Sequence, residues 1–90
     1  MWFIYLLRVK QSNSLYCGIT NDLDARIKAH RGGKGAKYLR GKGEITLQWF
    51  MAVENRSEAT KLEMTIKKLS KKSKESLVKN APQPFRQTDL

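Results

Sequence analysis

The sequence predicts a mixed α/β fold of the α+β kind, a three-stranded antiparallel sheet flanked by about three helices. Three observations carry that expectation. Two apolar stretches, Met1–Val9 and Leu15–Thr20, are joined by the polar, turn-prone Lys10-Gln11-Ser12-Asn13-Ser14 and read as a β-hairpin. A third stretch, Ile45–Val53, alternates cleanly, with Ile45, Leu47, Trp49, Met51 and Val53 against Thr46, Gln48, Phe50 and Ala52, as a strand with one dominant core face does. Between and after the strands, apolar residues recur at helical spacing behind Asp and Asn caps.

Taken in order, the first strand is apolar on both faces, with Trp2, Ile4 and Leu6 on one and Phe3, Tyr5, Leu7 and Val9 on the other. That suits a central strand covered on both sides. If Tyr16 lies opposite Leu7 in the hairpin, Gly18 falls opposite Tyr5 and both phenols emerge on one face, whereas a slip of one residue would part them. Gly18 would leave the backbone beside Tyr5 open to a ligand. Thr20-Asn21-Asp22 offers N-cap chemistry to a short helix over Leu23–Arg31. Leu23 and Ile27 make its apolar stripe, and Arg26 and His30, four apart, share another of its faces. After the third strand, Asn55 caps a long helix, with Glu58 three residues on in the manner of a capping box. Ala59, Leu62, Ile66 and Leu69 form its buried stripe, and Glu63 stands at the edge of that stripe. Ser73 can cap a last short helix to about Asn80, and Pro82 and Pro84 end regular structure. The expected domain is residues 1–80, with 81–90 a loose C-terminal tail.

Ninety residues suffice for one domain with a small core. Eighteen Lys and Arg against 8 Asp and Glu give a net charge of +10, which points to a polyanionic partner, nucleic acid ahead of anionic membrane. No helix joins a broad apolar face to a basic one beyond what the core uses, which argues against a membrane-surface role. The one cysteine, Cys17, excludes an internal disulfide and suits a reducing compartment. It is expected as a small buried apolar residue on the face opposite Tyr16. Trp2–Leu7 is too short for a signal h-region, and no stretch could span a bilayer as a helix, so a cytoplasmic protein is expected.

The segment Arg31-Gly32-Gly33-Lys34-Gly35-Ala36-Lys37-Tyr38-Leu39-Arg40-Gly41-Lys42-Gly43 alternates glycine with basic residues around one aromatic. It carries no P-loop pattern, and Tyr38 stands where a dinucleotide fingerprint would need its third glycine. It reads as a flexible loop in which Arg31, Lys34, Lys37, Arg40 and Lys42 neutralise phosphates and Tyr38 stacks on a base. A plain solvated surface loop is the alternative.

Tyr5 and Tyr16 on a hairpin, Arg26 and His30 on the next helix and Glu63 on the helix after the third strand resemble, in order and setting, the GIY-YIG nuclease domain. Gly33-Lys34-Gly35-Ala36-Lys37 and Leu39-Arg40-Gly41-Lys42-Gly43-Glu44 are closest to the small stand-alone members of the YhbQ type. The resemblance extends to about Asn80. It departs at Phe3, where the family name has glycine, and at Cys17, where it has isoleucine. The resemblance implies a sheet ordered second–first–third, in keeping with the two-sided first strand. A monomer acting on DNA is expected. The resemblance also implies metal-dependent hydrolysis of a nucleic-acid phosphodiester. Structure rather than sequence preference, in repair or recombination, is the expected use of that activity.

Such chemistry needs an activated water, charge stabilisation on the phosphoryl group and help for the leaving oxygen. Arg26 can offer a planar fork to the phosphate. Glu63 is the best-placed carboxylate for a single Mg²⁺ or Mn²⁺, an ion that commonly takes one carboxylate with waters and substrate phosphate oxygens. The family mechanism implies a tyrosine general base. Tyr5 is the first choice, with Tyr16 and His30 orienting it or relaying its proton. Each residue also has a plain structural reading: His30 as a helix end, Arg26 paired with Asp22, Glu63 paired with Lys67. The rival function is a nucleic-acid-binding module, for DNA or RNA, with little or no turnover.

Overall fold

The structure is a computed structural model that describes residues 1–35, 39, 41 and 43–80. Its elements are β1 (Trp2–Val9), β2 (Ser14–Thr20), α1 (Leu23–Arg31), β3 (Ile45–Val53), α2 (Arg56–Lys67) and α3 (Lys71–Asn80). The sheet is antiparallel throughout and ordered β2-β1-β3.

The two-sided apolar pattern of β1 is explained by this order. Tyr5, Leu7 and Val9 face one layer, where Ile27 of α1, Leu39, Ile45 and Leu47 complete a core cluster, with Tyr16, Leu23 and Phe50 at its margin. Ile4 and Leu6 face the other, with Cys17, Trp49, Ala59 and Ile66. There α2 and α3 add Leu62, Leu77 and Val78 to the margin, with Leu69 between them. The sheet is thus sandwiched between α1 and the α2–α3 pair. Cys17 is buried on the side away from Tyr16, as expected of a small apolar residue.

The third strand departs from its expected single core face. Leu6 pairs with Trp49 but Leu7 with Leu47, a register shift that leaves Gln48 as an extra residue. Such a bulge reverses the sense of alternation. Ile45 and Leu47 therefore lie in the α1 layer and Trp49 in the α2–α3 layer, while Met51 is left 44% exposed.

The caps hold with one change. Asp22 accepts from the Ala25 N–H at 3.1 Å and Asn55 from the Glu58 N–H at 2.9 Å. The Glu58 carboxylate itself lies 3.8 Å from Lys61. For α3, Ser70 rather than Ser73 is the cap: its Oγ accepts from the Ser73 N–H at 3.1 Å, and the helix starts at Lys71. The sequence offers two serines three apart, and only backbone geometry selects the first. Across the sandwich, Arg8 of β1 makes a two-pronged ion pair with Glu75 of α3, one prong at 2.6 Å, which pins α3 to the sheet.

Candidate active site

The hairpin register places the site. Leu7 pairs with Tyr16 and Tyr5 with Gly18, so both phenols stand on the α1 side of the sheet. The space above Gly18 is not left for a ligand, contrary to the expectation from sequence. A Cβ there would lie 2.4 Å from Tyr5 Oη, so the phenol of Tyr5 itself lies across the glycine backbone. Tyr5 is 2% exposed, and Tyr16 is half-buried beside it.

His30 comes from the last turn of α1 and is buried, 4% exposed, so it does more than end a helix. Its Nε2 is 2.9 Å from Tyr5 Oη, and its ring meets that of Tyr16 edge-on with centroids 5.8 Å apart. Beyond α1 the chain turns back on the helix: the Gly33 N–H donates to the His30 carbonyl at 3.1 Å and the Lys34 N–H to the Ala29 carbonyl at 2.8 Å. That turn delivers Gly35 onto the far side of the imidazole, where a Cβ would stand 1.9 Å from Nδ1. Gly35 is thus a site residue that sequence reasoning missed, because one glycine among several in a basic run carries no distinguishing signal. The segment is also less free than its composition implied, since Leu39 is a core residue, 3% exposed. Arg31 and Lys34 are exposed. Lys37, Tyr38, Arg40 and Lys42 lie outside the described residues.

Burial dominates the electrostatics. It pushes the Tyr5 phenol far above the ordinary range, an effect reinforced by Tyr16 and opposed by the Arg26 guanidinium. Burial also raises Tyr16, opposed first by Lys67 and then by Arg26. It lowers His30, as does the positive charge of Arg26. At neutral pH both phenols are protonated and the imidazole is neutral, so Tyr5 donates to Nε2 when the ring proton sits on Nδ1. Arg26 is exposed, and among the described residues it makes no ion pair; Asp22 uses its carboxylate as a cap instead. Beside Arg26 lies a shallow hollow lined by Thr20, Asn21, Asp22 and Ala29, open to an incoming group.

Glu63 approaches from the other layer. Its helix packs beneath the sheet against β2 and β1, and its charge adds to the burial that opposes ionisation of Tyr5, Tyr16 and Cys17. The carboxylate is 19% exposed and 3.4 Å from Lys67 Nζ, so the plain i,i+4 pairing does form. No group of three His, Cys, Asp or Glu that could cage a metal exists among the described residues. A single, largely buried carboxylate with no second acid beside it fits a Mg²⁺-type ion that also takes water and substrate phosphate. It does not fit an ion held by protein alone. His30 thus touches both Tyr5 and Tyr16, while the charge of Arg26 bears on all three and that of Glu63 on the two phenols.

This sheet order, with its hairpin tyrosines and the helices that supply Arg26, His30 and Glu63, belongs to one class. The model of the GIY-YIG catalytic domain matches residues 1–76, and the chain belongs to that family. It is 50% identical over 80 residues to a UPF0213 protein of Vibrio campbellii, spanning 89% of this chain and 76% of that one. To the UPF0213 protein YhbQ of Escherichia coli O127:H6 it is 52% identical over 77 residues, 86% of this chain and 76% of that one. The solution NMR structure of a UPF0213 protein from Bacillus halodurans superposes with a TM-score of 0.61 at 42% identity, over 98% of this chain and 94% of that one. GIY-YIG domains are those of endonucleases that use divalent metal, so membership points to a nucleic-acid partner and to hydrolase chemistry. No helix among the described residues is long and apolar enough to cross a membrane.

Proposed function

We propose that the protein is a metal-dependent endonuclease that hydrolyses DNA phosphodiester bonds, selecting nucleic-acid structure over sequence, in repair or recombination. It acts as a cytoplasmic monomer whose unit is residues 1–80. The observation that carries this reading is the buried Tyr5–His30 hydrogen bond beside Tyr16, on the sheet face served by Arg26.

In this reading Arg26 holds the phosphate with its guanidinium fork. Tyr5 takes a proton from the attacking water while passing its own to His30 Nε2, the acceptor 2.9 Å away. The water oxygen bonds to phosphorus and the bond to the leaving oxygen breaks. Tyr16 packs against the imidazole and fixes its plane. Glu63 would hold the single Mg²⁺ or Mn²⁺, which supplies positive charge against the phosphoryl oxygens. Arg31 and Lys34, with Lys37, Tyr38, Arg40 and Lys42, bind the backbone of the substrate.

One observation favours a second reading. Burial pushes Tyr5 the wrong way for a base, and a phenol that never ionises suits a binding module for DNA or RNA with little turnover. A cleavage panel of labelled DNA and RNA structures, with and without Mg²⁺ or Mn²⁺, decides between them. Metal-dependent scission of branched, nicked or flapped DNA supports the nuclease. Tight binding with no product on any substrate rejects it.

A further inference from the structure

The corner between α2 and α3 reads Lys67-Lys68-Leu69-Ser70-Lys71-Lys72-Ser73-Lys74, five lysines in eight residues with no carboxylate among them. The site described above uses none of them as a ligand. Two are engaged locally: Lys67 with Glu63, and Lys71, whose Nζ donates to the Asn13 carbonyl of the hairpin turn at 2.9 Å. Lys68, Lys72 and Lys74 have no carboxylate within ion-pair distance among the described residues. Lys68 and Lys72 are exposed, and the corner is anchored by Leu69, which packs on the core. The fold therefore does not need these charges. The first turn of α3 holds no acidic residue, so the lysines repel one another and are better matched by an external anion.

Their placement is specific. Lys71 reaches the hairpin turn at one end and Lys67 reaches Glu63 at the other, so the run follows the outer edge of β2 up to the candidate site. The charge of Lys67 acts on Tyr16 and that of Lys74 on Cys17, in keeping with this track. It lies on the layer opposite α1, and so on the other side of the site from Arg31 and Lys34.

We propose that the α2–α3 lysine corner is a second nucleic-acid surface, which takes backbone phosphates flanking the one at Tyr5 and Tyr16. As the partner of the same site, it rests on the nucleic-acid reading given above. Lysines here act as point charges on phosphates, so the surface adds affinity without sequence preference. An anionic membrane is the other polyanion that could sit here, but the corner offers no apolar face to insert.

The test uses the full chain carrying Lys68→Ala and Lys72→Ala together, titrated with a short labelled DNA duplex in EDTA over a range of salt. The plot of log affinity against log salt should flatten by up to about 1.8, at about 0.9 per phosphate contact. Circular dichroism should be unchanged and Tm equal or higher. A charge-matched control, Lys61→Ala with Lys79→Ala, should keep the wild-type slope. An unchanged slope in the corner variant, or an equal change in the control, would overturn the proposal. So would full DNA affinity with lost binding to phosphatidylcholine–phosphatidylserine vesicles. Failure of the nuclease reading shows separately, as absent cleavage by the wild-type chain, and the slope still decides the surface.

Discussion

The hydroxyl of Tyr5 and Nε2 of His30 meet at 2.9 Å across 25 residues of chain, in a space bounded by two glycines. Gly18 lies under the phenol and Gly35 against the imidazole, and neither could carry even a methyl group without displacing its aromatic neighbour. The pair is neutral on both sides at pH 7, because burial opposes charge on each. Burial therefore opposes proton transfer from Tyr5 to His30 unless Tyr5 takes a second proton in the same step, which leaves the phenol neutral. Any catalytic role for Tyr5 passes through His30.

Gly35→Ala should separate geometry from mere stability. The new Cβ meets Nδ1 at 1.9 Å, so the turn or the ring must shift, and overpacking of this kind costs about 1–3 kcal/mol. Gly33→Ala is the matched comparison: its φ of 76° makes alanine strained, but nothing lies within 4 Å. Both should lower stability in urea titrations. Only Gly35→Ala should also move the His30 ring resonances in NMR and reduce cleavage at saturating DNA. Equal effects of the two on those resonances would remove Gly35 from the site.

His30 should leave a mark on stability against pH. Its native pKa lies below the ordinary 6.5, so the unfolded chain takes a proton that the folded one refuses. The stabilisation is complete above that unfolded value and is lost as pH falls through it toward the native one. The slope is at most about 1.4 kcal/mol per pH unit for one proton. Urea midpoints of wild type should fall as pH drops below about 6.5, and those of His30→Gln should fall less. Cleavage should show an acid limb in the same direction, since a protonated His30 cannot accept from Tyr5. Parallel slopes in the two proteins would contradict a neutral, buried imidazole.

Glu75 should matter to α3 and not to chemistry. Its carboxylate is held below the ordinary range by the hydrogen bond from Arg8, which it meets with both oxygens. Glu75→Gln should cost about 1 kcal/mol, less than a buried charged hydrogen bond because both partners are partly solvated. Denaturant midpoints measure it, and cleavage under native conditions should be unaltered.

Much of this fold was legible because local pattern and tertiary need agree. Strands β1 and β2 and the cap at Asn55 follow from spacing, and α1 is capped by the last of the three residues, Thr20-Asn21-Asp22, that offered cap chemistry. Spacing alone left two hairpin registers open, and the order of the site residues pointed to the one that keeps Tyr5 and Tyr16 on one face. The bulge at Gln48 was not legible, because unbroken alternation along Ile45–Val53 conceals a switch of face that only pairing with Leu6 and Leu7 creates. Gly18 was seen as open space and proved to be occupied, which depends on the rotamer of Tyr5 and not on its position. Gly35 and Leu39 were hidden inside a stretch whose composition signals solvent. The part of the site made by the register could be read from sequence, and the part made by the return of the chain onto α1 could not.

The sharpest test falls on Glu63 together with Tyr5. Among the acids of this chain, Asp22 is spent as a cap, Glu75 on Arg8, Glu58 beside Lys61 and Glu44 beside Lys10. Glu63 also has a lysine partner, but it is the carboxylate whose charge reaches both phenols. Glu63→Gln keeps the shape and removes the charge. It should abolish metal-dependent cleavage, leave circular dichroism unchanged, and hold or slightly raise DNA affinity in EDTA, because a negative charge facing phosphate has gone. Tyr5→Phe removes only the hydroxyl that meets His30. It should retain binding and lose on the order of 10²–10⁴ in rate if the phenol moves the proton. Cleavage time courses beside binding titrations read both variants. Full activity in Glu63→Gln would end its metal role, and a weak wild-type activity indifferent to either change would favour a domain that binds nucleic acid without cutting it.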